Sequence, residues 1–386
     1  MAGSPQKFAL LLTEAVHKIR RCESKLTKKT IRIVQDELGY ALGREGGSCI
    51  EYWRKGNIPA SLNDLEALAR ELVRRDGLGL EELKLFLASA GHPHPAGFGD
   101  ALFPPRQELA PFIVGPPITH PRQFFGREQD LRRIFGLWKR APLQNVALVG
   151  LHRSGKTSLL RYLQSITRTP PDQLRPGQRT DWLSQPERYQ WVVVDFQDAR
   201  MGHRESLLRY LLAGLNLPMP DACDLNSFLD TVSQHLQTPS VIMMDEIGAG
   251  LASPELDQQF WWSLRALGSN YSDGKLGFLL TAHEAPALLA HEHGKPSPFF
   301  NIFGHSLELG PFSEPEAREL VASSPRLFAP ADVEWILLQS GRWPVLLQIL
   351  CDTCLTAMEE GRRGPAWWGE GLRRIAPLHY LLETPC

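Results

Sequence analysis

Gly150-Leu-His-Arg-Ser-Gly-Lys-Thr157 is the stretch on which the fold turns, a G-x-x-x-x-G-K-S/T pattern set between two segments of different periodicity. Upstream, Asn145-Val-Ala-Leu-Val149 is a short apolar run of strand type; downstream, Ser158-Leu-Leu-Arg-Tyr-Leu163 has the spacing of an amphipathic helix. Strand, loop, helix is the context the pattern requires. Gly150 and Gly155 let the backbone curl so that successive N–H groups point inward at phosphate oxygens, and the following helix adds the positive end of its dipole. Lys156 would reach the β- and γ-phosphates of ATP, or the β-phosphate of ADP, and Thr157 would offer its hydroxyl to Mg²⁺. Ser154 and Ser158, inside and just after the loop, complete the cofactor-binding set expected here.

A phosphate loop alone binds nucleotide, whereas hydrolysis needs an acidic strand end. Val241-Ile-Met-Met-Asp-Glu246 supplies one, an apolar run that closes on two carboxylates. Asp245 is expected at the end of the strand beside the phosphate loop, holding the magnesium shell, with Glu246 placed to orient or deprotonate the attacking water. The next strand, Gly277-Phe-Leu-Leu-Thr281, ends in a polar residue. Thr281 either senses the γ-phosphate or caps the following turn, and both readings stay open.

Outward from these segments, apolar runs alternate with amphipathic stretches. Strands are expected at 145–149, 191–196, 241–245 and 276–281, with helices at 156–166, 205–215, 225–236 and 254–267. The fold class is therefore α/β, a phosphate-loop nucleoside-triphosphatase with a three-layer parallel sheet. After Leu309-Gly-Pro the pattern is helical through 314–322, 330–339, 344–359 and 367–382, and residues 5–90 read as helices only. Between them, 91–121 is rich in proline, with His92-Pro-His-Pro, Pro104-Pro, Pro116-Pro and Pro121, and reads as a linker. The expected domains are an N-terminal all-α domain over 1–90, the linker over 91–121, the core over 122–310 and a C-terminal helical lid or winged-helix-like region over 311–386.

A chain of 386 residues with a net charge of −1 is ordinary in composition, so global charge selects no partner. Residues 1–60 carry eleven Lys and Arg against six Asp and Glu, a local basic excess. No apolar run reaches the roughly 18–20 residues of a membrane helix, and the N-terminus lacks a signal peptide's apolar core, so a cytoplasmic protein without membrane contact is expected. Cys351 and Cys354 fall inside a helical pattern and read as buried thiols; His92/His94 and His291/His293 are isolated pairs, and no metal is assigned to them.

Four boxes placed in order around the phosphate loop resemble the AAA+ and STAND ATPases over residues 122–360. Phe124-Phe-Gly-Arg-Glu128 is similar to the box that opens their module, which implies that Arg127 lies at the nucleotide; the phosphate loop follows, then Asp245-Glu246, then Leu309-Gly-Pro-Phe-Ser-Glu-Pro-Glu, which resembles the start of their lid. Ser340-Gly-Arg-Trp-Pro344 resembles their G-x-P turn, whose proline approaches the nucleotide, here with two residues between Gly341 and Pro344. Where many STAND members carry an arginine, Thr281-Ala-His283 carries histidine. The resemblance implies an ATP-dependent molecular switch that self-associates as a homo-oligomer when ATP-bound, in bacterial regulation, defence or mobile-element control. The other readings are a non-hydrolysing nucleotide-binding DNA regulator, and an adaptor that recruits an effector protein. The N-terminal helices, with Ile50-Glu-Tyr-Trp-Arg-Lys-Gly56, resemble an XRE-type helix-turn-helix. In such a module Ser48–Lys55 would enter double-stranded DNA with Ile50 and Trp53 inward and Ser48, Glu51, Tyr52, Arg54 and Lys55 outward, while Lys28, Lys29 and Arg32 would hold phosphates. A helical protein-docking module is the alternative.

Overall fold

The computed structural model of the chain describes residues 4–23, 29–103 and 109–383. It divides into two compact units, Met1–Leu109 and Ala110–Cys386.

The first unit is helical: α1 (Pro5–Glu23), α2 (Ile31–Ala41), α3 (Ser48–Arg54), α4 (Leu62–Arg74), α5 (Leu80–Ser89) and α6 (Pro95–Leu102). Side chains set the starts. Thr30 Oγ1 accepts the Ile33 N–H at 3.3 Å, Ser61 Oγ accepts that of Asn63 at 3.2 Å, and Glu82 reaches back to the Gly79 N–H at 2.7 Å. Phe8, Leu12, Val16 and Ile19, spaced one turn apart along α1, converge with Val34, Leu38, Ile50, Leu68 and Phe86 into one core. Trp53 joins them, so α3 turns Ile50 and Trp53 inward as expected. The stretch read as a linker is divided between the units. Pro95 takes the first position of α6, where proline is tolerated, and Phe98, Leu102 and Phe103 pack on the first unit's core; Phe112 belongs to the second unit's core.

The second unit runs α7 (Glu128–Trp138), β1 (Val146–Val149), α8 (Lys156–Ser165), β2 (Gln190–Asp195), α9 (Arg204–Gly214), α10 (Leu225–His235), β3 (Ser240–Asp245), α11 (Ile247–Ala252), α12 (Gln258–Ala266), β4 (Leu276–Ala282), α13 (Pro286–Glu292) and β5 (His305–Glu308). It closes with α14 (Glu314–Ala322), α15 (Pro330–Ser340), α16 (Pro344–Glu359), α17 (Trp368–Ile375) and α18 (Tyr380–Glu383). The strands form one parallel sheet in the order β2-β3-β4-β1-β5. Alternation along each strand splits the core in two. Ala147, Val192, Val194, Ile242, Met244, Phe278 and Leu280 face α9 to α13, while Val146, Leu148, Val193, Val241, Met243 and Leu279 face α7 and α8. This is the three-layer fold of the phosphate-loop nucleoside triphosphatases.

β5 has no counterpart in the sequence reading, because an edge strand with only Leu307 buried offers no apolar run. The helix expected over 254–267 starts at Gln258, where Asp257 accepts the Phe260 N–H at 2.9 Å. The one expected over 367–382 is broken at Ala376-Pro377. Residues 311–383 contain helices only among the described residues, without the β-hairpin wing that a winged helix needs. No helix of the described residues is long and apolar enough to cross a membrane.

Candidate functional site

The carboxyl end of β1 leads into the glycine loop, at the sheet edge where open α/β folds gather their ligand groups. A Cβ on Gly150 would lie 2.9 Å from both the Leu309 carbonyl oxygen and Ser154 Oγ, so only glycine lets the loop leave the strand here. Gly155, at φ 98°, turns the chain into α8. Lys156 is 5% exposed, and its Nζ donates to the carbonyls of Gly150 at 2.7 Å and Leu151 at 3.0 Å. Burial pulls its pKa below the ordinary lysine value, against the opposing pull of Glu246 and Asp245. Ser154 is fully buried, and its hydroxyl has no hydrogen-bond partner among the described residues. A buried ammonium, an orphan hydroxyl and helix-terminal N–H groups form a donor set, which fits phosphate oxygens.

Ser154, Gly155 and Lys156 line one wall of a cavity of about 350 Å³. Gly155, Lys156, Thr157, Ser158, Gln197 and Glu246 make the polar end, and Ile113, Pro116, Pro117, Ile118, Phe124, Phe125, Leu320, Pro344 and Val345 contribute apolar surface. Such a cavity, lined both by polar groups of the loop and by apolar side chains, suits a nucleotide.

Asp245 does not sit on the strand beside β1; β4 lies between them. The sheet order therefore inserts Thr281 between the phosphate loop and the acidic pair. Its hydroxyl donates to Asp245 Oδ1 at 2.6 Å and accepts the Glu246 N–H at 2.9 Å. Neither Thr281 nor Asp245 lines the cavity, whereas Glu246 does. Glu246 is held in the left-handed region at φ 53°, as are Arg127 at 64° and Arg153 at 68°, three non-glycine positions gathered at one cavity.

The Phe124–Glu128 box straddles two cores. Phe124 stacks on Tyr162 of α8 with ring centroids 4.1 Å apart, whereas Phe125 joins the lid's apolar cluster. Gly126, at φ 67°, lies against the lid, and a Cβ there would sit 3.0 Å from Phe312 and 3.1 Å from Glu316. Arg127 lines the cavity, but its guanidinium is committed to the Ser154 and Gly310 carbonyls and lies over the Phe312 ring. Burial lowers its pKa, opposed by Asp130 and Glu316. Its N–H donates to Glu316 Oε1 at 2.6 Å, and the same carboxylate caps α14 through the Ser313 N–H at 2.9 Å. Arg175 adds a second tie, pairing with Glu319 at 3.0 Å while lying over Phe125.

Pro344 lines the cavity from the first turn of α16. Ser158, expected at the ligand, accepts the Ile118 N–H at 3.0 Å on its hydroxyl. That bond is one anchor of a strap over residues 113–118. Arg153 donates to the Gly115 carbonyl, and the Ile113 N–H donates to Gln348 Oε1 at 2.9 Å. Sequence reading missed the strap, because its prolines look like a linker. It also missed Gln348 and Gln197; a lone glutamine inside the apolar run Val345-Leu-Leu-Gln-Ile-Leu350 was the available signal.

In the first unit, Ser48, Tyr52 and Lys55 are exposed on α3. Lys55 pairs with Glu51 at 2.8 Å, and Arg54 Nε donates to Thr13 Oγ1 at 3.2 Å. Lys29 does not extend a phosphate-binding face. It is held between Glu23 at 2.9 Å and Glu37 at 2.7 Å, carboxylates that also bind Arg75. Lys28 lies outside the described residues. Cys351 and Cys354 are buried in α16, and no cluster of three His, Cys, Asp or Glu among the described residues has the arrangement of a metal site.

No protein-family model and no curated protein matches the chain. Among solved structures it is similar to a Walker-type ATPase of Pyrococcus abyssi, at 16% identity over 68% of this chain and 75% of that one, with a TM-score of 0.46. It is also similar to Cdc6p from Pyrobaculum aerophilum, at 17% identity over 68% and 67% of the two chains with a TM-score of 0.43. A third likeness is to the ORC2 protein of Aeropyrum pernix in its ADPNP-ADP complexes, at 17% identity over 68% and 69% with a TM-score of 0.46.

Proposed function

We propose that the chain is an ATP-dependent molecular switch of the AAA+ and STAND type, binding ATP or ADP and hydrolysing ATP with Mg²⁺. The observation that carries this reading is the convergence on one cavity of Lys156 and Thr157, Glu246 from beyond β3, Arg127 from the opening box and Pro344 from the lid. In this reading Lys156 and the N–H groups of the loop hold the β- and γ-phosphates. Thr157, at the cavity, would hold the metal together with Asp245, whose carboxylate lies behind the lining and accepts from Thr281; when bound, the ion would neutralise charge on the phosphates. Glu246, facing the cavity, orients the attacking water. Glu316 and Glu319 couple the lid to the nucleotide-facing box, so ligation biases lid position and with it self-association.

The N-terminal unit would then engage double-stranded DNA or an effector protein. The exposed face of α3 supports either, and the pairing of Lys29 with carboxylates favours protein docking. The test is ATPase activity and particle size of the full chain, each with ADP, ATP and a non-hydrolysable analogue, beside Lys156→Ala. Wild type should bind all three and the variant none, because the variant loses the cation that meets the phosphates. Equal nucleotide affinity in the two proteins refutes the site. Binding without turnover selects the non-hydrolysing regulator, and salt-dependent DNA affinity at about 50 mM salt separates DNA from protein docking.

A further inference from the structure

Gln348 stands apart from the polar residues of the loop. It lies one turn beyond Pro344 on α16, is 5% exposed, and lines the cavity from the lid. Its amide orientation is set by one bond, because Oε1 accepts the Ile113 N–H at 2.9 Å. The other end of the amide, Nε2, donates to no group among the described residues. A primary amide carries two N–H donors there. The same cavity is lined by apolar side chains too, among them Ile113 at the start of the strap, Val345, and Leu320 of α14. The two arginines of the lining are already engaged, Arg127 with the Ser154 and Gly310 carbonyls and Arg153 with the Gly115 carbonyl.

We propose that Gln348 reads the base of the bound nucleotide, its Nε2 donating to an acceptor, a ring nitrogen or carbonyl oxygen, on the base edge. The inference rests on the nucleotide reading above and assigns the orientation within that site. Phosphates are drawn to the loop by the Lys156 charge, which leaves the apolar lining to the ring. A donor that the ring covers is satisfied by an acceptor of the ring, and a ligand without one leaves the donor unpaired. Pinning Oε1 to the strap makes the donor preorganised, because the amide cannot rotate without breaking the Ile113 bond.

The test measures the binding of ADP and of inorganic tripolyphosphate, which has no base, to the full chain and two variants. Gln348→Met removes donor and acceptor at similar volume; Gln348→Glu keeps the acceptor for Ile113 and removes the donors. ADP affinity should fall about tenfold in both, the scale of one buried hydrogen bond. Tripolyphosphate affinity should stay within about twofold of wild type in Gln348→Met, whose charge is unchanged. Three results overturn the proposal: unchanged ADP affinity in both variants, an equal loss for both ligands in Gln348→Met, or a loss in Gln348→Met that Gln348→Glu does not share, which would assign the effect to the strap. A wild-type chain that binds neither ligand overturns the nucleotide reading itself, whereas wild-type binding with indifferent variants overturns only the role of Gln348.

Discussion

Replacing Thr281 by valine removes a single hydroxyl that serves two partners. The side chain is fully buried and Asp245 is 3% exposed, so water does not replace the lost group. Asp245 Oδ1 loses a donor at 2.6 Å and the Glu246 N–H loses an acceptor at 2.9 Å. A hydrogen bond to a charged acceptor contributes about 1.5–3 kcal/mol, and an orphaned buried N–H costs about 1–3 kcal/mol, so Thr281→Val should destabilise the second unit by about 3 kcal/mol. At about 2–4 °C per kcal/mol for a unit of this size, its thermal transition should fall by roughly 6–12 °C. Thr281→Ser, which keeps the hydroxyl, should recover most of that. ATP turnover should fall with the loss of the anchor that holds Glu246 in its left-handed conformation, while ADP affinity stays within about twofold because Thr281 does not line the cavity. The measurements are thermal unfolding and ADP titration on the same three proteins. A Thr281→Val protein that unfolds within about 1 °C of wild type refutes the bridging role. One of normal stability that loses affinity for ATP but not ADP restores the reading of Thr281 as a γ-phosphate sensor.

Other outcomes follow from the same geometry. Glu246→Gln should retain ATP and ADP binding but slow turnover by about 10²–10⁴-fold and hold the associated form in ATP, checked by steady-state hydrolysis and particle size. Glu316→Ala removes the acceptor shared by the Arg127 and Ser313 N–H groups, and should cost about 1–3 kcal/mol in denaturant unfolding while exposing α14 to limited proteolysis. Hydrogen bonding from Arg75, helped by Lys29, holds the Glu23 carboxyl down at about 2 against an ordinary value of 4.5. A depressed carboxylate stabilises the fold above its unfolded pKa and loses that contribution as pH falls, so the first unit should weaken between about pH 4.5 and pH 2, by at most about 3 kcal/mol. Glu23→Gln should flatten that slope in acid titrations followed by circular dichroism; an unchanged slope would show that the Arg75 pairing carries no stability.

The sequence by itself determined the strand-loop-helix around Lys156, the acidic end of β3 and the helical character of both ends of the chain. Those features depend on local periodicity and on residues whose chemistry is nearly unique to their task, such as a lysine after two spaced glycines. The start at Ser61 was legible for the same reason, since its hydroxyl acts within its own turn, whereas the expected start at 254 missed the cap at Asp257. Only the tertiary structure decided that β4 stands between β1 and β3. That order turns Thr281 towards Asp245 and Glu246, a relation among segments 35 positions apart that no local pattern encodes. The strap is the same kind of case. Pro116-Pro117 looks like a spacer until Arg153, Ser158 and Gln348 bind the backbone around it. Lys29 reads as a free cation in sequence because its partners Glu23 and Glu37 belong to two different helices. Periodicity specifies which face of an element is buried; which neighbour each polar group on that face meets depends on long-range packing, and it was there that side chains acquired partners the sequence could not assign.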